Sequence, residues 1–413
     1  MSSVSEFFLP PSAFGRPETQ AVRASGTTVT FADGHEALCG TSGLWNVNLG
    51  YGNARIAAAI AAAARDASYL SLFRYGHSYA SQAATELIRW ARPHVYTRVL
   101  YSTAGGAAVD ASIKLVRQYS RLRGQRRQLV VSLRGGYHGL TFGAMGLTGD
   151  DLDQAALGVE QRLVRQVSPT DPDQLAALLA AQGDQIAAIV LEPVLGSGAR
   201  TVAPELIELA LSRRATDGYL VVADEVATGF ARTGPMFASH DWPAQPDLLV
   251  SSKGLTNGTC AASAVLLSQP VATAYDESGA VLVHGETQAG TPVSCAAISA
   301  TLAEFERLDA LARGGGVAAA LDTALADLAT RSAAVVSTPG RGCFRAVELA
   351  HSGGRPFDAA EIDQVVADCR RAGAIVHPGP SCIQLLPALT YDLDDLDVLL
   401  QRVSGVVDGL GGR

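Results

Sequence analysis

Two stretches, Tyr219-Leu220-Val221-Val222-Ala223-Asp224-Glu225 and Leu248-Leu249-Val250-Ser251-Ser252-Lys253, decide the fold. Each opens with an apolar run of strand length and ends in charged residues, which predicts two buried strands followed by functional groups. In an open parallel sheet the carboxyl ends of the strands border the ligand crevice. We therefore expect Asp224 and Lys253 to lie at one site.

The chemistry of this pair is that of pyridoxal phosphate (PLP), because a lysine can form a Schiff base with the cofactor and an aspartate can hold its pyridinium nitrogen. Asp224 could instead cap the next element, and Lys253 could be a solvated loop residue. However, Lys114 and Lys253 are the two lysines among 32 basic residues. Arginine cannot replace lysine as an imine-forming amine, since its guanidinium stays protonated. Lys114 lies mid-helix and is interpreted as structural.

Composition narrows the class of protein. The chain has 413 residues, 48% hydrophobic and 17% charged, which favours two packed domains. The net charge of −8, with one short basic run at residues 121–127, disfavours nucleic-acid partners. Six scattered cysteines without a Cys-x-x-Cys pair predict reduced thiols, no disulfide frame and no metal site. With no signal peptide or membrane span in the pattern, we expect a cytoplasmic protein.

Apolar runs and helical spacings alternate from about residue 98 to residue 308, which predicts an α/β fold with a mostly parallel sheet. Residues 1–50 are expected to form an N-terminal arm and part of a small domain, 51–310 the large domain, and 311–413 a smaller α+β domain. Gly314-Gly315-Gly316 is interpreted as a loop.

Two further motifs are compatible with a cofactor. The turn Ser102-Thr103-Ala104-Gly105-Gly106 opens a helix, and N–H groups at a helix start can bind a phosphate. A plain strand-to-helix turn would look the same. Tyr137 follows another strand and could stack on a planar ring, or it could satisfy a loop hydrogen bond.

As a set, these stretches resemble the class III (omega-type) aminotransferases, PLP enzymes of fold type I. The similarity extends from about residue 25 to residue 400. It is carried by blocks that occur in the family's order: 42–50, 104–107, 137–139, 192–194, 224–234, 252–254 and 284–287.

The resemblance implies a large domain with a mostly parallel seven-stranded sheet, a smaller α+β domain, and roles by position. Lys253 would bind PLP covalently and shuttle a proton, and Asp224 would hold the ring nitrogen. The remaining cofactor-binding positions would be Gly105 and Gly106 at the phosphate, Tyr137 and Val226 on the two ring faces, His138 in the same block as Tyr137, and Thr287 reaching the phosphate from the partner subunit of a homodimer.

Departures from the family pattern concern the substrate. Ala107, Ala227 and Ser197 replace polar family residues, and Gln384 stands where an arginine is common. A substrate carboxylate facing Gln384 would lose charge-assisted hydrogen bonds worth about 1.5–3 kcal/mol. We therefore expect an acceptor without a carboxylate at the reacting carbon, in a pocket that includes Trp45.

Alternatives remain open at this point. Arg23, Arg74, Arg232 or Arg345 could move to bind an acid. The chain also resembles the daptide-type aminotransferases, which aminate the C-terminal ketone of ribosomally made peptides. The same fold could serve an aminomutase or a decarboxylase, or an inactive scaffold. A nicotinamide dehydrogenase fits less well, because the glycine spacing differs from Gly-x-Gly-x-x-Gly.

Overall fold

The computed structural model describes residues 3–412. Its α-helices of six or more residues are Ala54–Asp66, Ser78–Ala91, Gly105–Leu122, Phe142–Leu147, Pro172–Gln182, Pro204–Asp217, Gln269–Ser278, Pro292–Arg307, Ala310–Arg331, Ala359–Arg371 and Leu393–Asp408, and the short helix Ser42–Trp45 precedes them. Its strands are Ala21–Ser25, Thr28–Phe31, Glu36–Cys39, Tyr96–Ser102, Leu129–Leu133, Val164–Val167, Ile186–Leu191, Leu220–Asp224, Leu248–Ser251, Ser263–Ser268, Val335–Ser337, Gly340–Arg341, Phe344–Leu349, Ala374–Ile375, His377–Gly379 and Cys382–Leu385.

A seven-stranded sheet forms the centre of the fold and confirms the predicted α/β class. Strand Ser263–Ser268 runs antiparallel to both of its neighbours, Tyr96–Ser102 and Leu248–Ser251. The five strands from Leu248–Ser251 to Val164–Val167 pair in parallel. The order across the sheet is Tyr96–Ser102, Ser263–Ser268, Leu248–Ser251, Leu220–Asp224, Ile186–Leu191, Leu129–Leu133, Val164–Val167. The sequence pattern did not indicate the edge strand Val164–Val167.

Both faces of this sheet are covered, which explains why its strands are continuous apolar runs rather than alternating ones. One face packs on helices Gly105–Leu122 and Gln269–Ser278. The opposite face packs on helices Pro172–Gln182 and Pro204–Asp217. Side chains at the strand ends are therefore the ones free to leave the core and form a site.

The N-terminal arm joins the C-terminal part of the chain. The hairpin strand Glu36–Cys39 pairs in parallel with Ala374–Ile375. A second small sheet contains Phe344–Leu349, His377–Gly379 and Cys382–Leu385. The proposed division at residues 50 and 310 stays a prediction, and residues 1, 2 and 413 lie outside the described residues.

The loop expected at Gly314-Gly315-Gly316 is wrong, since these residues lie inside helix Ala310–Arg331. A side chain at Gly314 would approach Leu389 at 3.1 Å, so a small residue lets the helix pack closely there.

Within residues 3–412, no helix has the length and apolarity needed to cross a membrane.

Candidate active site

Asp224 and Lys253 meet at the carboxyl ends of neighbouring parallel strands. Asp224 is paired in register with Val250, and Lys253 follows three residues later. The charge of Asp224 acts on the lysine amine and tends to raise its pKa. The structure therefore brings together the two residues predicted to be catalytic.

The two acidic residues at the strand end have different surroundings. Glu225 is fully buried and accepts hydrogen bonds from the backbone N–H groups of Ala238 and Ser239 at 3.0 and 2.6 Å. It therefore caps the turn after Phe237, the structural role considered for an acid at this strand end. Asp224 remains available for the site.

A buried hydrogen-bonded network surrounds Asp224. His138 Nδ1 lies 2.7 Å from Asp224 Oδ2, and the backbone N–H of Val226 donates to Oδ1 at 3.2 Å. Burial alone would lower the pKa of His138, but the hydrogen bond and charge of Asp224, with the charge of Glu192, raise it. The contact with Asp224 therefore favours the protonated form of His138.

Glu192 is the second acid of this network. Its carboxylate accepts hydrogen bonds from the backbone N–H groups of Tyr137 at 2.7 Å and Gly196 at 3.0 Å. Its pKa is raised to about 7: burial is the largest cause and the Asp224 charge acts in the same direction, whereas His138 and the two N–H groups partly oppose them. Glu192 is therefore poised between its two charge states near neutral pH.

Lys253 occupies a strained and half-buried position. Its φ of 41° lies in the left-handed region, which costs a non-glycine residue about 1–3 kcal/mol. Its Nζ lies 4.8 Å from the centroid of the Trp45 ring. Burial lowers the pKa of the amine, although Asp224 and Glu192 oppose the effect. A lowered pKa favours the neutral, nucleophilic form of the amine.

The predicted phosphate site is the start of helix Gly105–Leu122. Its N-cap residue, Ala104, makes no side-chain capping bond, so the first-turn N–H groups are not satisfied by a side chain there. A side chain at Gly105 would lie 3.1 Å from Val226. One at Gly139 would lie 2.6 Å from Gly106. Because these residues are glycines, neighbouring segments can pack closely against the start of the helix. This helix end is uncapped, carries a partial positive charge and lies beside Asp224.

Thr287 lies on an exposed segment close to this helix start. Its carbonyl accepts a hydrogen bond from Tyr69 at 3.0 Å. The neighbouring Glu286 binds the hydroxyl groups of Ser102 and Thr103, and the Thr103 backbone N–H at 3.0 Å. The loop that carries Thr287 is thus fastened to the residues that lead into Gly105.

The predicted substrate residues differ in their surroundings. Gln384 is 1% exposed, and its Nε2 donates to the carbonyl of Gly196 at 2.8 Å. Trp45 packs edge-on against His377, with 5.2 Å between ring centroids. Trp45 also lies beside Lys253 Nζ, whereas the amide of Gln384 is already engaged in the protein interior.

Two of the four arginines considered as carboxylate ligands, Arg232 and Arg345, are also engaged. Arg232 is fully buried and donates to the Pro387 carbonyl at 2.5 Å and to Asn48 Oδ1 at 2.7 Å. Arg345 pairs with Asp322 and donates to the Thr338 carbonyl at 2.8 Å. Both are accounted for by contacts within the chain.

Sequence reasoning gave no role to Glu192, Glu286 or His377. Glu192 belongs to one of the blocks shared with the family and directly follows strand Ile186–Leu191, so its position at a strand end could have indicated a site residue. His377 had no such signal, because its approach to Trp45 joins segments more than 300 residues apart in the sequence.

A family model agrees with this geometry: the model described as "Aminotransferase class-III" matches residues 13–407. The chain belongs to the class III aminotransferases. It is a PLP-dependent aminotransferase, and the fold type I prediction is confirmed.

Individual relatives of this aminotransferase cover nearly its whole length. It is 30% identical to an omega-aminotransferase of Caulobacter vibrioides over 97% of both chains. It is 28% identical to an omega-amino acid–pyruvate aminotransferase of Pseudomonas putida, covering 96% of this chain and 93% of that protein. An amine transaminase from an uncultivated Pseudomonas species, solved with PLP bound, superposes with a TM-score of 0.91 at 29% identity, covering 99% of this chain and 100% of that one.

The residues of this aminotransferase fit PLP. An uncapped helix start suits the phosphate, a buried carboxylate suits a pyridinium nitrogen, and a half-buried amine suits the aldehyde. When bound, PLP supplies an electron sink for negative charge at the substrate carbon.

Proposed function

We propose that this enzyme is an omega-type aminotransferase that moves an amino group from an amine or amino-acid donor to a ketone or aldehyde lacking an α-carboxylate. The observation that carries this proposal is the engagement of Gln384 with the Gly196 carbonyl. It is supported by Arg232 and Arg345, whose guanidinium groups are held by other partners. A substrate carboxylate would thus lack a bidentate partner at these positions.

The proposed role of each residue follows from its contacts. Asp224, held by His138, is the group that binds the pyridine nitrogen and keeps it protonated. Lys253 is the amine that binds the cofactor covalently and then carries a proton to and from the substrate carbon. Tyr137 and Val226 border the ring, with Val226 placed over Gly105.

Phosphate binding is assigned to the backbone of Gly105 and Gly106. Ala107 offers no hydroxyl or carboxylate there, so the helix N–H groups carry this role. Ala227 likewise offers no hydrogen bond to the cofactor, and it packs in an apolar cluster with Trp45.

A donor–acceptor panel on the purified, PLP-loaded enzyme tests the substrate class. The panel pairs one amine donor with carboxylate-free aldehydes and ketones, and with pyruvate and 2-oxoglutarate. We expect a higher kcat/KM for the carboxylate-free acceptors. Two relatives are named for 2-oxo acid acceptors, so a preference for pyruvate or 2-oxoglutarate would contradict the proposal.

A peptide with a C-terminal ketone is a narrower candidate within this class. Such a ketone has no carboxylate at the reacting carbon, which suits the engaged Gln384. The panel therefore includes a short peptide ketone and the matching free ketone. Faster turnover of the peptide would support a peptide substrate, whereas equal or slower turnover would count against it.

We also propose a homodimer in which Thr287 reaches the partner's phosphate site. The support is its exposure in the single chain and the exposed apolar side chains near it, Phe73 and Val283, at 60% and 84%. Such surface is expected at an interface.

Mixing subunits tests this arrangement. Lys253→Ala and Thr287→Val homodimers should both be impaired. A mixed dimer should recover about half of the wild-type activity, because one of its sites then has both native residues. If Thr287 serves its own subunit, the mixed dimer would keep a single Thr287→Val site and would be no more active than the Thr287→Val enzyme.

A further inference from the structure

Trp45 contacts two polar side chains at the candidate site. Lys253 Nζ lies 4.8 Å from the ring centroid, and the ring of His377 meets the indole edge-on at 5.2 Å. The charge of Lys253 also acts on His377. His377 is thus part of the surroundings of the reactive amine, although no sequence motif marked it.

Polar atoms of this group are unused within the chain. The indole Nε1 of Trp45, a residue 8% exposed, has no hydrogen-bond partner among residues 3–412. The ring nitrogens of His377 also make no hydrogen bond to any group within residues 3–412. Its side chain is half-buried. Buried polar groups are normally paired, so these atoms are suited to a ligand.

Gln384 contrasts with His377. The two residues are directly opposite each other on paired strands. The amide of Gln384 is held by Gly196, whereas the imidazole of His377 contacts Trp45. Of this pair, His377 is therefore the side chain available to a substrate.

The charge state of His377 matters for what it can bind. Burial is the main cause that lowers its pKa, the Lys253 charge acts in the same direction, and together they bring the pKa to about 4. At neutral pH the imidazole is therefore uncharged and offers one donor and one acceptor. It can pair with a hydroxyl, amide or ether group, but it gives no counter-charge to a carboxylate.

We propose that His377 is the specificity-determining residue of this site, which hydrogen-bonds an uncharged polar substituent of the substrate and disfavours a carboxylate. This inference rests on the proposed function, because it concerns substrates of the same aminotransferase reaction. Arginine at this position would supply a fixed, charged fork that matches a carboxylate.

The test uses full-length, PLP-loaded wild type, His377→Arg and His377→Phe, with His94→Arg as the matched control at an exposed position. The readout is the ratio of kcat/KM for pyruvate to that for a carboxylate-free aldehyde. We expect His377→Arg to raise this ratio about tenfold or more, and His94→Arg to leave it unchanged. An unchanged ratio in folded His377→Arg would overturn the inference.

His377→Phe covers the case in which the arginine variant does not fold. Phenylalanine keeps a ring against Trp45 but removes both nitrogens. We expect KM to rise about tenfold for a hydroxyketone and to stay within about twofold for the matching hydrocarbon ketone. Equal changes for both ketones would show a packing role and would also overturn the inference.

A binding measurement separates recognition from catalysis. By calorimetry, an unreactive short-chain alkanoate should bind His377→Arg about tenfold more tightly than wild type, and equal binding would contradict the inference. The two proposals can be distinguished. If wild type itself prefers pyruvate, the proposed function is contradicted. If substitution of His377 leaves the acceptor preference and the alkanoate affinity unchanged, the proposed role of His377 is contradicted.

Discussion

His138 Nδ1 lies 2.7 Å from Asp224 Oδ2, with both side chains almost completely buried. Because a buried carboxyl group is costly unless it is paired, this contact gives Asp224 a hydrogen-bond partner and fixes its orientation. The histidine comes from a loop 86 residues earlier in the chain.

Replacing His138 with Gln should lower kcat by about 10–100-fold, since a hydrogen bond to a charged group is worth about 1.5–3 kcal/mol. Glutamine cannot become protonated and so gives Asp224 no positively charged partner. Steady-state kinetics under saturating PLP would measure the loss. His94→Gln, at an exposed position, is the control and should retain full activity. A His138→Gln enzyme within twofold of wild type would show that Asp224 needs no such support.

Glu192 should impose a pH dependence on stability in the cofactor-free protein. Its folded pKa of about 7 exceeds the ordinary value of 4.5, so between these values the folded chain holds a proton that the unfolded chain has released. Raising the pH through this window therefore lowers the free energy of unfolding, by at most about 1.4 kcal/mol per pH unit, and the loss is complete above about pH 7.

Melting temperatures of wild type and Glu192→Gln between pH 4.5 and 8 would check this dependence. We expect the difference, wild type minus variant, to fall as the pH rises and to level off above about 7. A difference that is flat or that increases with pH would mean that Glu192 ionises at an ordinary pKa.

Gln384→Leu should destabilise the protein by about 1–3 kcal/mol, because the buried Gly196 carbonyl would lose its donor. Thermal denaturation would measure the change. The matched control is Gln364→Leu on the exposed face of helix Ala359–Arg371, which should remain within about 0.5 kcal/mol of wild type. Equal stability of both variants would indicate that the contact of Gln384 with Gly196 contributes nothing.

Glu286→Gln should weaken PLP retention. Hydrogen bonds from Ser102 and Thr103 outweigh burial and lower the pKa of this carboxyl, so the ionised form fastens the loop to the residues before Gly105. Loss of the charge should raise the PLP dissociation constant about tenfold, measured by absorbance after dialysis. The exposed Glu306→Gln is the control. Unchanged retention in Glu286→Gln would show that the loop is held by other contacts.

The strands and the strand-end pair could be predicted because their signals are local. Apolar runs define Leu220–Asp224 and Leu248–Ser251, and a charged residue at each end is visible in the sequence. The direction in which a side chain points could not be predicted from the neighbouring sequence. Gln384 faces Gly196, 188 residues away, and this contact depends on how the C-terminal sheet docks on the large sheet.

Tertiary packing also determined the local structure or the role of individual residues. The three glycines at 314–316 are typical of a loop, yet helix Ala310–Arg331 runs through them because Gly314 packs against Leu389. His377 carried no signal, since its neighbours at the site come from the N-terminal segment and from the turn after Ser251.

The most direct measurement is borohydride reduction of the PLP-loaded enzyme, followed by proteolysis and mass spectrometry. With only Lys114 and Lys253 as lysines, the site of covalent attachment is unambiguous. Reduction should abolish the visible absorption band and leave the cofactor on the peptide that contains Lys253, and Lys253→Ala should show no label. A label on Lys114, or full turnover by Lys253→Ala, would contradict the assignment of Lys253 as the reactive amine.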